Sequence, residues 1–318
     1  MGTRDGFLPV IDFSKEDCLK PGTGSWLSVR REVCRALEEL GGFMATMPDK
    51  VSAELHQTIF GALKDLFEFP AELKSKNRYE ENPFCGHFIY NSVHESLGIQ
   101  NPTHSEETQK FTHLFWPNQN DQFRYVLYEF FHSYVKVMME LDHVVTRMVF
   151  ENYGMEKYHD EHIRSTSHFI QFAKYKEPRK AGSDVGIVSH TDKNFNTILH
   201  QNHVNGLEIN TDDDEWIMFD PHLPSSFLFI ASDVFKVWSN GRIRACRHRV
   251  NVRENDEARY SVGFFSLKIG VTTVPKELVD EEHPLRYKSL DQVEYIEAQR
   301  KNGIECTPEA FCGIQGDC

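Results

Sequence analysis

No stretch of this chain approaches the roughly 20 consecutive apolar residues that a membrane span requires. Its opening, MGTRDGFLPVIDFS, has no apolar segment of the secretory-signal kind. The Met1-Gly2 start lacks the downstream Ser or Thr of a myristoylation signal, because Asp5 and Gly6 lead away from it. Positive charge is short as well: 35 Lys and Arg against 48 Asp and Glu leave a formal net charge of −13. That balance argues against nucleic acid or an anionic membrane as partner. Cysteine is sparse, odd in number and scattered: Cys18, Cys34, Cys85, Cys246, Cys306, Cys312 and Cys318. Such a set is no disulfide framework and predicts a reduced, cytoplasmic protein. The last three fall six apart, but nearby Gly and Pro predict a loose tail there and not a metal or redox site. No internal repeat or low-complexity segment is present. A monomer is expected over an oligomer, although the sequence leaves the oligomeric state open.

What the chain does contain is ordinary for a globular enzyme: 318 residues, 40% hydrophobic and 26% charged. That length allows one large domain or two modest ones. The 24 phenylalanines are numerous; most belong to a core, and a few could line a pocket for an aromatic or polycyclic ligand.

Leu8–Phe13 alternates like a short strand. Val29, Val33, Leu37 and Leu40 recur at helical spacing, with Gly41-Gly42 as the stop. A second helix is predicted from about Ser52 to Leu66, and a long one from about Gln122 to Tyr153, ended by Gly154. Residues 78–118 read as long loops over a site. Beyond residue 165 short apolar runs appear at 167–175, 195–199, 206–209, 215–219, 226–231 and 260–267, separated by turn residues. This is the pattern of an all-β sandwich or barrel. A helix near 289–301 closes the chain.

The chemistry concentrates in the second half. His190-Thr191-Asp192 is followed by His248 and then by Arg259-Tyr260-Ser261. Two imidazoles and one carboxylate form the facial set that holds a non-haem Fe(II) with open coordination positions. Strand alternation would put His190 and Asp192 on one face, and His248 is expected to start a strand that pairs back across the core. Arg259 and Ser261 also share a face, suited to a bidentate carboxylate contact plus a hydroxyl hydrogen bond. Two similar tripeptides, His104-Ser105-Glu106 and His159-Asp160-Glu161, read as solvated loop or helix-end clusters. Taken singly, His248 reads as a surface histidine and Arg259 as a salt-bridging arginine; the joint order gives the motif its specificity.

At these residues the chain resembles the plant-type 2-oxoglutarate- and Fe(II)-dependent dioxygenases. Leu8-Pro9-Val10-Ile11-Asp12 looks like the opening segment of that family, and Trp216 with Pro221, Asn240-Gly241-Arg242 and Arg259–Phe265 match its core. Lys20-Pro21-Gly22-Thr23, Ser189–Asn194 and Glu277–Pro284 resemble the AOP-like branch, which includes deoxypodophyllotoxin synthase and the glucosinolate side-chain oxygenases. The resemblance implies a mixed α and β fold: a double-stranded β-helix (jelly-roll) core at 161–275, a mainly helical region at 1–160, and a C-terminal helix and tail at 276–318. It implies Fe(II) on His190, Asp192 and His248, and 2-oxoglutarate on Arg259 and Ser261, with ascorbate as supporting reductant. O2 would then be used to oxidise a small aromatic or polycyclic plant metabolite, with release of succinate and CO2.

The pattern departs in places. An Asn-Tyr-Tyr-Pro-Pro segment becomes Lys174-Tyr175-Lys176-Glu177-Pro178, so Tyr175 is the candidate third co-substrate contact, although a one-residue slip would reverse its face. A Gly-Asp pair becomes Ser232-Asp233, and Asn-His-Gly becomes Ala45-Thr46-Met47. The substrate pocket is expected from loops at Phe84–Ser92 and Phe111–Trp116, the strand ending near Phe265, and the C-terminal segment. Tyr90, Phe111 and Phe265 are the candidate lining residues. Two other uses of the same residues stay open: an Fe(II)/O2 oxidase that does not use 2-oxoglutarate, and a non-enzymatic metal-stabilised binding protein. The second would leave Arg259-Tyr260-Ser261 without a task, and a structural zinc usually has four protein ligands.

Overall fold

A computed structural model describes residues 8–80, 82, 85–117, 121–176, 185–211, 213–252, 257–302 and 306–314. Phe84, Glu177, Pro178, Cys318 and the first seven residues lie outside them. The strands of the β-rich half collect into two facing sheets. The larger one contains β1 (Val10–Asp12), β2 (Gly42–Thr46), β3 (Phe88–Ile89), β4 (His94–Gln100), β5 (Thr166–Tyr175), β7 (Asn196–Gln201), β10 (Ser226–Ala231) and β12 (Arg259–Lys268). Their order is β1-β2-β10-β7-β12-β5-β4-β3, antiparallel except for β1 on β2. The smaller sheet runs β6 (Val185–His190), β11 (His248–Asn251), β8 (Leu207–Asn210) and β9 (Trp216–Met218). The architecture is the jelly-roll that the resemblance implied.

Alternation along β12 shows how one strand serves two layers. Val262 and Phe264 are fully buried beneath the helices, with Trp26, Leu37, Leu63, Leu141 and Phe172 in the same core. Arg259, Ser261, Gly263 and Phe265 point the other way, into a cavity between the sheets. The helices behind are α1 (Gly24–Glu39), α2 (Ala53–Glu68), α4 (Ser105–Phe115) and α5 (Asp121–Asn152), with a short α3 (Ala71–Lys74) between α2 and α4. Thr23 and Ser52 cap α1 and α2 by accepting from Trp26 N and Leu55 N, both at 3.1 Å. After α1 the chain turns at Gly41, whose φ is +74°; a Cβ there would lie 2.4 Å from the Arg244 carbonyl oxygen. This close approach carries Arg244–Cys246, and so His248, against the end of α1.

Two regions differ from expectation. Residues 78–118 are not simply loops, for they contain β3, β4 and α4. The strand His94-Glu95-Ser96 reads as polar, yet it is buried: Glu95 pairs with Lys74 at 2.6 Å and His87 at 2.9 Å. The described part of the C-terminal segment, 306–314, is also no loose tail. Beyond α6 (His159–Arg164), α7 (Asp233–Trp238) and the small pair β13 (Val271–Thr272) and β14 (Leu290–Asp291), α8 (Gln292–Asn302) is followed by α9 (Pro308–Cys312). Cys306 and Cys312 are buried free thiols, and Thr307 caps α9. Asn240 latches this end of the chain: its Nδ2 donates to the carbonyls of Leu278 and Pro284, and its Oδ1 accepts from Arg286 N.

Candidate metal and co-substrate centre

His190 ends β6 and His248 begins β11, and the two are register partners. Pairing therefore sets the imidazoles side by side, ring centroids 4.3 Å apart. Asp192 is not on the strand as alternation suggested; β6 stops at His190 and the carboxylate sits in the loop beyond. Its Oδ1 lies 3.4 Å from His190 Nε2 and 3.9 Å from His248 Nε2. Among the described residues this is the one group of three His, Cys, Asp or Glu side chains with ligand atoms close enough to share an ion, all within 4.8 Å. His104 and His159 belong to no such group.

Each imidazole is oriented by its far nitrogen. His190 Nδ1 donates to Val188 O at 2.9 Å and His248 Nδ1 to Cys246 O at 3.1 Å, which leaves both Nε2 lone pairs toward Asp192. Thr197 Oγ1 donates to Asp192 Oδ2 at 2.7 Å. The loop itself is anchored by buried Asp233, whose Oδ2 accepts from Thr191 Oγ1, Lys193 Nζ and Tyr295 Oη. Ser232-Asp233 thus holds the loop in place, a role its sequence context gave no sign of. Burial opposes ionisation of Asp192, but the adjacent histidines and hydrogen bonds from His190 and Thr197 hold its carboxyl well below the usual range. Burial pushes His248 down to about 4, while for His190 the hydrogen bond and charge of Asp192 outweigh burial and raise it. An acidic oxygen between two neutral-capable nitrogens is the donor set of a divalent cation site.

Arg259 lies further along the same cavity, only 3% exposed. Its Nη2 donates to Gln201 Oε1 at 2.8 Å and its Nη1 to Ser261 Oγ at 3.3 Å, while Nε has no partner. No carboxylate among the described residues pairs with it. A buried guanidinium with neutral neighbours and no carboxylate partner could receive a carboxylate supplied from outside. Tyr175 is the cross-strand partner of Arg259, with its ring centroid 5.0 Å from the guanidinium, so the register places it on the cavity face. Burial raises its phenol, opposed by the Arg259 charge.

The cavity measures about 390 Å³. Tyr90 and Phe265 line it, as do Ile187, Leu199, Leu207 and Val250. Phe111 does not: it is buried in the helical layer against Phe115 and Phe172, because α4 turns its apolar stripe toward the back of the large sheet. His94 and Gln171 also line the cavity; nothing in the sequence singled them out, His94 because the polar residues of β4 do not read as a strand, and Gln171 because a lone polar side chain in the expected strand 167–175 carries no motif.

Known proteins resemble this chain over most of its length. The 2OG-Fe(II) oxygenase superfamily model matches residues 160–268. The probable 2-oxoglutarate-dependent dioxygenase AOP1.2 of Arabidopsis thaliana is 40% identical over 296 residues, covering 91% of this chain and 89% of that protein. The crystal structure of the rice dioxygenase for auxin oxidation is 25% identical with a TM-score of 0.77, covering 97% of this chain and 100% of that one. The 2-oxoglutarate complex of dioxygenase for auxin oxidation 1 from Arabidopsis thaliana is 25% identical with a TM-score of 0.74, covering 87% and 100%.

Proposed function

The chain belongs to the 2OG-Fe(II) oxygenase superfamily, and we propose that it oxidises a small aromatic or polycyclic plant specialised metabolite, with Fe(II) on His190, Asp192 and His248 and 2-oxoglutarate on Arg259, Ser261 and Tyr175. It is a 2-oxoglutarate-dependent dioxygenase, and Fe(II) and 2-oxoglutarate are its cofactor and co-substrate. When bound, they couple O2 to oxidation of a C–H bond, with succinate and CO2 released. The observation that carries the site assignment is the buried, carboxylate-free guanidinium of Arg259 in the same cavity as three converging ligand atoms.

The side chains divide the work. Arg259 binds the far carboxylate of the co-substrate by charge-assisted hydrogen bonds, and Ser261 adds a neutral one. Gln201 fixes the guanidinium plane. The carbonyls of Val188 and Cys246 hold the ligand tautomers, and Thr197 aims the Asp192 carboxylate. Ile187, Leu199, Leu207 and Val250 exclude water around the target bond. Hydroxylation, desaturation, ring closure and demethylation all remain within reach of such a centre, since the outcome depends on which C–H bond the pocket presents. The six described cysteines are free and buried, and no described helix is long and apolar enough to cross a membrane. These facts support a cytoplasmic setting, and we place the enzyme there as a monomer.

The test is incubation of the protein with Fe(II), ascorbate, 2-oxoglutarate and a plant-metabolite pool, read by mass spectrometry. Succinate formation should rise with a metabolite that gains an oxygen or loses two hydrogens or a methylene. O2 consumption with product but no succinate would point to the oxidase instead.

A further inference from the structure

One wall of the cavity is a ladder of rings. Tyr90 stacks on His94 with centroids 4.4 Å apart and 16° between planes, and His94 stacks on Tyr175 at 4.5 Å and 15°. In register, His94 stands opposite Tyr175, which stands opposite Arg259. Tyr175 and Arg259 belong to the co-substrate end of the site. His94 is the next ring of the ladder beyond Tyr175, and the proposed mechanism gives it no task.

The hairpin that carries it is held firmly. Asn91 Oδ1 accepts from Val93 N and His94 N, both at 2.9 Å, and Asn91 Nδ2 donates to Gly186 O in β6 at 3.3 Å. Gln171 Nε2 donates to Tyr90 Oη at 3.3 Å and to Ser96 Oγ at 3.1 Å. His94 is 5% exposed, lines the cavity, and has no protein partner for its Nε2. A buried ring nitrogen left unpaired is costly, so a ligand atom that satisfies it is favoured.

The surroundings restrict that ligand. Burial, and then the Arg259 charge, push the His94 imidazole down to about 4, so it is neutral and offers no ion pair. Among the described residues, the only Lys, Arg, Asp or Glu side chains lining the cavity are Arg259 and Asp192, both committed to co-substrate and metal. Among the described residues, exposed apolar side chains stand at the cavity: Tyr90 is 54% exposed and Val188 50%, with Ile89, 66% exposed, next to Tyr90 in the chain. Phe265, stacked on Phe169 at 4.5 Å, presents another flat surface. A cavity of about 390 Å³ sits near the small end for ligand sites and must also take 2-oxoglutarate.

We propose that His94 is a specificity-determining residue, and that its unpartnered Nε2 hydrogen-bonds an oxygen on a neutral, planar substrate of one or two aromatic rings. The inference rests on reading this cavity as the oxygenase site.

Three fluorescent probes test it on protein loaded with Fe(II) and 2-oxoglutarate under nitrogen: 2-naphthol, naphthalene and 2-naphthoate. His94→Phe keeps the ring stack and removes the nitrogen. It should weaken 2-naphthol binding by about three- to tenfold and naphthalene by less than twofold. Fe(II) and 2-oxoglutarate titrations should be unchanged, and 2-naphthoate should bind wild type most weakly. An equal effect on 2-naphthol and naphthalene, a wild-type preference for 2-naphthoate, or no binding of any probe overturns the proposal. Loss of 2-oxoglutarate affinity in His94→Phe overturns it too, by moving His94 into the co-substrate pocket. A wild-type protein that binds neither iron nor 2-oxoglutarate overturns the reading of the centre itself.

Discussion

Thr197 donates its hydroxyl to Oδ2 of Asp192 at 2.7 Å, and this bond decides which carboxylate oxygen faces the two imidazoles. Thr197 lies in the large sheet, whereas Asp192 follows the last strand residue of the small one. The contact therefore ties the two sheets together at the metal-binding end of the cavity. Thr197→Val keeps the β-branched shape and removes the donor. Fe(II) affinity should fall about ten- to hundredfold, the usual cost of losing a partner that orients a metal ligand. Circular dichroism of the metal-free variant should match wild type. An unchanged Fe(II) titration would show that the carboxylate needs no such support.

His190→Ala and His248→Ala each remove one of three protein ligands and should abolish Fe(II) binding and succinate formation. The fold should survive, because these residues occupy the cavity edge and not the helical core. His159→Ala is the matched control: His159 opens α6 and lies against Phe150, outside the ligand group. Iron binding lost in the control and retained in His190→Ala would move the centre elsewhere.

The residues that the structure brings together at the candidate site were more readable than the elements that carry them. His190, Asp192, His248, Arg259 and Ser261 stand out because their chemistry requires fixed residue types, and strand periodicity alone puts Arg259 and Ser261 on one face. Periodicity misplaced Asp192, since strand ends depend on the partner strand, and β6 ends where its pairing with His248 does. It also missed β4, because buried Glu95 is neutralised by Lys74 and His87 from other elements, contacts that no local pattern contains. Phe111 illustrates the converse: an aromatic residue near a site in sequence still goes to the core when its helix turns that way. Asp233 stood out only as the unchanged half of the Ser232-Asp233 pair, although it holds Thr191, Lys193 and Tyr295 together.

Arg259→Ala should raise the 2-oxoglutarate requirement by about one to two decades and spare Fe(II) binding, as expected for a charge-assisted contact worth roughly 1.5–3 kcal/mol. Ser261→Ala should do less, because a neutral hydrogen bond contributes about 0.5–1.5 kcal/mol. Isothermal titration with 2-oxoglutarate measures both. An Arg259→Ala protein with an unshifted titration would leave the buried guanidinium without its assigned ligand.

Stability should fall as pH drops from about 6.5 toward 4, and buried histidines are the cause. Burial pushes His162 and His200 down to about 3, so the folded protein keeps them neutral where the unfolded chain protonates them near 6.5. In that window the unfolded state binds more protons, so unfolding is favoured as pH falls, by at most about 1.4 kcal/mol per pH unit for each group. Above 6.5 both states are neutral and the effect vanishes. His190, raised by Asp192, acts in the opposite sense and offsets part of the loss. Carboxylates with depressed values, such as Asp142, lose their contribution only at lower pH. His162 packs among rings, 5.1 Å from Phe150 and 4.4 Å from Phe195, and its Nε2 has no partner. His162→Phe should therefore fold and should flatten the decline. Melting curves of metal-free protein between pH 4 and 7.5 provide the measurement. Parallel pH profiles for wild type and His162→Phe would show that this histidine is not held neutral in the folded state.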